Sequence, residues 1–104
     1  MLLCSNTLHK VFDEVQSAIQ VPMLHIADAT AMGLESLKTV GLLGSSFIMQ
    51  ESYYKQFLLN QYDIQVIVPL NATDRALCHK IVYQDLMMGK VLDLSRVDLV
   101  RMVE

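Results

Sequence analysis

The chain has 104 residues, 53% hydrophobic and 18% charged, with a net charge of −3. That is enough for one small domain or pieces of two, and it is apolar for a soluble domain of this size. Lys10, Lys38, Lys55, Arg75, Lys80, Lys90, Arg96 and Arg101 form no run, so a nucleic-acid role has no electrostatic footprint, and no apolar stretch approaches a membrane span. The two cysteines do not make a disulfide framework. With only two leucines between Met1 and Cys4 no signal peptide is read, and a reducing cytoplasm is expected.

In chain order, residues 1–3 are short and apolar and read as the end of a strand whose beginning is missing. Cys4, Ser5, Asn6 and Thr7 follow, three of them good helix caps. Over residues 8–19 the apolar positions Leu8, Val11, Phe12, Val15, Ala18 and Ile19 fall on one helical face. Residues 22–26 read as a buried strand, and 27–38 as a second helix starting near Asp28 or Thr30. The run over 39–44 has the continuous apolar character of a strand buried on both faces. Ser45 and Ser46 form a loop, 49–60 a third helix, and 64–68 a strand stopped by Pro69. A fourth helix spans 73–88, capped by Thr73 or Asp74 and stopped by Gly89, and a fifth begins at 94 and runs to 103. Strands alternating with helices predict an α/β fold with a parallel sheet and helices on both faces. Ligands of such sheets sit at the carboxyl ends of the strands, where residues 4–7 and 44–47 are the equipped loops.

Cys4 lies between a strand end and a helix start. The positive end of a helix favours a thiolate, and a thiolate can act as nucleophile or base. Asn6, Thr7 and the neighbouring N–H groups suit a carboxylate. Taken by itself the pattern also fits an inert thiol, since free cysteines are often buried. Cys78 has helical neighbours only and reads as a packing residue. His9, His25 and His79 share no metal-ligand spacing with either cysteine. His25 reads as a hydrogen-bonded core histidine, with orienting groups near the site as the alternative, and His79 reads as a solvated helix residue. Ser45 and Ser46 follow two glycines without the Gly-Lys-Ser/Thr ending of a phosphate loop. Tyr53, Tyr54 and Phe57 read as a packing stripe, and Met87 and Met88 as gap fillers.

Read together, the segments carry more. Cys4-Ser5-Asn6-Thr7-Leu8-His9-Lys10 resembles the C-T-N-T-M-H-K motif of aspartate/glutamate racemase-like amino-acid racemases. Residues 22–30 are similar to that family's P-L-L-H-I-A-D-A-T, and residues 40–49 with Tyr54-Lys55 to its V-G-L-L-G-T-R-F-T-M and F-Y-K. Asp74-Arg75, His79, Ile81, Tyr83, Leu86 and Gly89-Lys90 stand where the family has D-R, H, I, Y, L and G-K. The resemblance implies two flavodoxin-like α/β domains with the active site between them, each bringing one cysteine. One thiolate removes the α-proton and the other thiol protonates the opposite face, with no pyridoxal phosphate or metal and therefore no cofactor. It implies Cys4 as one catalytic thiol, Asn6 and Thr7 as substrate-binding residues beside it, and Ser45 as the hydroxyl of a second-domain loop. Ser46 stands in place of the family's arginine and Ile48 in place of its next threonine, so this loop has lost a cation and a hydroxyl.

The family's glycine-rich opening segment and the late G-C-T-E segment with the second cysteine have no counterpart here. The expectation is a fragment: 1–38 as the end of the first domain with the interdomain crossing, and 39–104 as the start of the second. Such a fragment is expected to be inactive alone as a racemase. Its substrate would be an amino acid, an acidic one favoured, and its partner a second copy or a fuller homologue met through exposed apolar faces. Two alternatives stand beside this isomerase. One is a single-cysteine decarboxylase-like enzyme relying on Cys4 alone. The other is a non-catalytic remnant acting through self-association.

Overall fold

A computed structural model describes residues 1–34 and 36–104. Its helices are α1 (Phe12–Ala18), α2 (Ile26–Leu34), α3 (Ser46–Gln50), α4 (Tyr53–Tyr62), α5 (Ala72–Lys80) and α6 (Asp93–Val103), with strands β1 (Thr39–Gly41) and β2 (Gln65–Ile67). The strands are neighbours. The N–H of Gln65 donates to the Lys38 carbonyl and that of Leu42 to the Ile67 carbonyl, both at 2.8 Å. The register advances in the same direction on both strands, so the pair is parallel. A further parallel bridge joins Leu2 to Leu24. The chain is thus an α/β protein with parallel strands, as the alternation of its segments predicts.

The residues fall into two compact units, Met1–Val40 with Glu51–Val66, and Gly41–Gln50 with Ile67–Glu104. In the first, α2 packs on α4. Ala27 and Ala31 are buried on α2, Tyr54 and Leu58 on α4, with Met23 and Ile64 beside them. The small alanines let the helices approach closely, and the Tyr54 hydroxyl donates to Thr30 Oγ1 at 3.2 Å. In the second unit, α3 packs on α5, and Ile48, Met49, Cys78 and Ile81 are buried.

Several predicted elements are revised. Residues 8–19 do not form one helix: Thr7–Val11 is a 3-10 turn that precedes α1, a common way to begin a helix. Asn6 occupies the cap position with helical dihedrals and no capping side-chain bond. The strand predicted over 22–26 is reduced to the bridge at Leu24, because Ile26 already opens α2. The second predicted helix ends at Leu34; Glu35 lies outside the described residues, and 36–38 are not helical. β1 is exposed at Thr39 and Gly41 and half-buried at Val40, not buried on both faces, since the sheet has two strands among the described residues. The helix expected over 49–60 is broken at 51–52 into α3 and α4, so Ser46 is helical instead of part of a loop. The helix expected over 73–88 begins at Ala72 after Asn71, which takes the extended cap position assigned to Thr73 or Asp74. It then widens into a π-helical turn, Ile81–Asp85, and tightens into a 3-10 turn, Leu86–Met88. Gly89 ends it as predicted, at φ +71°, where a side chain would be strained. Asp63 ends α4 in the same left-handed region, at φ 56°, which aspartate tolerates better than most residues. Its N–H and that of Ile64 satisfy the Leu59 and Leu58 carbonyls.

Candidate active site

Cys4 is exposed, in the segment between the Leu2 bridge and the 3-10 turn. Asn6 and Thr7, also exposed, follow it directly, so three of the four site residues expected from the sequence occupy one loop of the first unit. The Ser5 hydroxyl accepts the Leu8 N–H at 3.4 Å, a weak cap.

Three side chains that sequence reasoning did not assign to the site hold this loop or its surroundings. His9, at 3% exposure, is buried. Its Nδ1 lies 2.7 Å from the Ser5 carbonyl, and its Nε2 accepts the Ile26 N–H at 3.1 Å. The Tyr53 hydroxyl donates to the Asn6 carbonyl at 2.6 Å, so Tyr53 is not merely part of a packing stripe. Burial and the nearby Glu51 push its phenol up, keeping it a donor. The third is His25, a buried core histidine as expected. Its Nδ1 accepts the Ala27 N–H at 3.1 Å, its ring stacks on Phe57 with centroids 4.0 Å apart, and it meets His9 edge-on at 4.8 Å.

Burial, and then the neighbouring His9, lower the pKa of His25, with Asp28 and Asp13 acting in the opposite direction. An unfolded histidine titrates near 6.5, at about its ordinary value. The folded ring titrates lower, so between those two values the unfolded chain binds more protons. Stability is therefore full above pH ~6.5 and is lost as the pH falls toward the folded value. Urea titrations between pH 7.5 and 5 are expected to show this slope, and the slope should be shallower in His25→Phe. Equal slopes in both proteins would contradict this.

Ser45, the fourth expected residue, belongs to the second unit. Its hydroxyl accepts the Ile48 N–H at 3.4 Å and its carbonyl the Met49 N–H at 3.1 Å, so it acts locally as the cap of α3. Ser46 and His79 form a second tie. His79 Nδ1 accepts the Ser46 N–H at 3.0 Å and lies 3.1 Å from the Ser46 hydroxyl, which must be the donor because that nitrogen already accepts an N–H. His79 also packs against Phe47 and Tyr83. It is half-buried and bonded, not the solvated residue expected, because α5 packs on α3. Gly44 stands just before Ser45 and α3, and a Cβ there would lie 2.6 Å from the Ile48 side chain, so the close approach needs glycine.

Cavity size does not locate the chemistry. A cavity of about 690 Å³ in the second unit is lined by apolar residues such as Leu42, Ile67 and Leu70, with Asp74 and Arg101. Those two are bonded to each other at 2.8 Å, and among the described residues no cysteine, serine or histidine lines the cavity. A cavity of about 320 Å³ in the first unit is lined by His9, His25, Asp28 and Tyr53 among others. Among the described residues, no group of His, Cys, Asp and Glu side chains is placed to hold a metal ion, and no helix is long and apolar enough to cross a membrane.

Residues 1–103 match the family model described as Asp/Glu/Hydantoin racemase. A crystal structure of a proposed Asp/Glu racemase from Yersinia pestis is similar with a TM-score of 0.87 and 37% identity, over 97% of this chain and 44% of that one. The structure of an aspartate racemase homologue from Pyrococcus horikoshii OT3 is similar with a TM-score of 0.73 and 32% identity, over 86% of this chain and 39% of that one. The chain spans less than half the length of either protein.

Proposed function

Because the chain belongs to the Asp/Glu/hydantoin racemase family, we propose that it serves proton transfer at the α-carbon of an amino acid, with Cys4 as one of two catalytic thiols and no pyridoxal phosphate or metal. The observation that carries this reading is the contrast between the two cysteines. Cys4 is exposed on the loop bearing the racemase-like motif, whereas Cys78 is buried inside α5, its thiol pushed up by burial. As a thiolate, Cys4 takes the α-proton and becomes a thiol, leaving a carbanion delocalised into the substrate carboxylate. Asn6 and Thr7 hold that substrate beside Cys4. A thiolate is a weak base for so weak an acid, so preorganised donors must carry much of the stabilisation.

Inversion needs a thiol on the opposite face, and in this reading it comes from outside these 104 residues, which alone do not racemise. The exposed apolar side chains of Leu24, Met32 and Leu70 support pairing with a second copy or a fuller homologue, in the cytoplasm.

The test is exchange of the α-proton into deuterated water, run over L-amino acids including aspartate and glutamate. A single thiol trades its proton with solvent and returns deuterium to the same face. The chain is therefore expected to exchange without inversion, and Cys4→Ala is expected to bring exchange down to the solvent background. No exchange with any amino acid, or exchange that survives Cys4→Ala, refutes the assignment. Release of CO₂ in place of exchange would instead favour the single-cysteine decarboxylase.

A further inference from the structure

Two consecutive carbonyls of the Cys4 loop are drawn inward by side chains. Ser5 C=O meets His9 Nδ1 at 2.7 Å. Asn6 C=O accepts the Tyr53 hydroxyl at 2.6 Å and the His9 N–H at 3.1 Å. A carbonyl only accepts, so His9 Nδ1 must carry the proton; Nε2 accepts the Ile26 N–H and must be bare. His9 is therefore a neutral ring of one defined tautomer, linking the loop to the start of α2, while Tyr53 links it to the start of α4. Those helices pack on each other, and the Lys10–Glu51 ion pair at 3.0 Å joins the same segments.

In a trans peptide the N–H points opposite to the carbonyl of the same plane, and no peptide here is cis. Drawing in the Ser5 and Asn6 carbonyls therefore turns the Asn6 and Thr7 N–H groups the other way, on the exposed loop that carries Cys4. Resting on the reading of Cys4 as a catalytic thiol, we propose that His9 and Tyr53 are positioning residues: they clamp the Ser5 and Asn6 carbonyls so that the Asn6 and Thr7 N–H groups are presented to the substrate carboxylate. Neither side chain touches the reacting atoms. Their effect is on substrate binding more than on the proton transfer itself.

Three variants test this. Tyr53→Phe removes one clamp with almost no change of shape. His9→Asn keeps a donor where Nδ1 stands, and His9→Gln keeps only an acceptor near Nε2. In ¹⁵N spectra the parent His9 is expected as the Nδ1–H tautomer. Amide order parameters of residues 5–8 are expected near the rigid value of about 0.85 in the parent and in His9→Asn. They should fall toward about 0.6 in Tyr53→Phe and His9→Gln, with the α4 amides unchanged. In the exchange assay, Tyr53→Phe and His9→Gln should raise KM about tenfold with kcat within about threefold, the signature of lost uniform binding, and His9→Asn should recover most of the loss. Loop amides that stay rigid in Tyr53→Phe and His9→Gln overturn the clamp, as does His9→Asn behaving no better than His9→Gln. A loosened loop with unchanged KM overturns its role in substrate binding. A parent without any α-proton exchange refutes the assignment of Cys4 and the substrate-binding role together, while the tautomer and the order parameters still decide whether the clamp exists.

Discussion

Cys78→Ala is expected to lower the unfolding free energy by about 1–2 kcal/mol and to leave Cys4-dependent exchange intact, while Cys4→Ala does the reverse. Cys78 is 1% exposed on α5, in the core of the second unit with Ile48, Met49 and Ile81. Removing its sulfur withdraws packed volume from a site that the neighbouring helices cannot fully close. Burial raises its thiol pKa, and a hydrogen bond with the Gly44 backbone offsets this only in part, so it is a poor nucleophile as well as an inaccessible one. Cys4 is exposed, and truncating an exposed side chain away from packed features changes stability by no more than about 0.5 kcal/mol. Alkylation under native conditions should label Cys4 quickly and Cys78 only through opening of the second unit. Urea denaturation of the two variants, beside the exchange assay, checks both halves. Rapid native labelling of Cys78, or loss of exchange in Cys78→Ala at unchanged stability, would contradict the division of roles.

Leu58→Ala is expected to destabilise the first unit by about 2–5 kcal/mol, and Leu59→Ala by less than about 1 kcal/mol. The two leucines are adjacent on α4, so helix propensity and side-chain chemistry are matched. Leu58 is 1% exposed and Leu59 49% exposed. Leu58 lies on the helix that packs against α2, whose buried residues Ala27 and Ala31 are too small to fill a vacated space. The cost is the lost transfer of the side chain plus the cavity left behind. Against a total stability of about 5–15 kcal/mol for a small domain, the Leu58 change is large enough to appear as a shifted urea midpoint. Similar midpoints for the two variants would show that α4 does not bury the face assigned to it.

The sequence by itself determined the α/β order of segments, the end of the fourth helix at Gly89, and the end of β2 before Pro69. Each rests on a local rule: apolar periodicity, the left-handed φ that glycine tolerates, or the missing N–H of proline. The difference in setting between Cys4, beside polar cap residues, and Cys78, among helical neighbours, was also legible, because cap residues and helical spacing are local features; which of the two thiols is exposed was decided by packing. What only the tertiary structure decided is the polar wiring of the Cys4 loop. His9 reads as one more histidine without ligand spacing, yet it is buried because Phe12 and His25 pack around it and the Ile26 N–H needs an acceptor. Tyr53 reads as packing, yet its hydroxyl reaches a carbonyl 47 residues earlier in the chain. His79 reads as solvated, yet it bonds Ser46 from 33 residues away. Periodicity records which face of an element is apolar. It carries no information about which buried polar group will meet which distant backbone atom, because that pairing is set when packed helices bring the two within hydrogen-bond reach and the low dielectric between them makes an unmet partner costly.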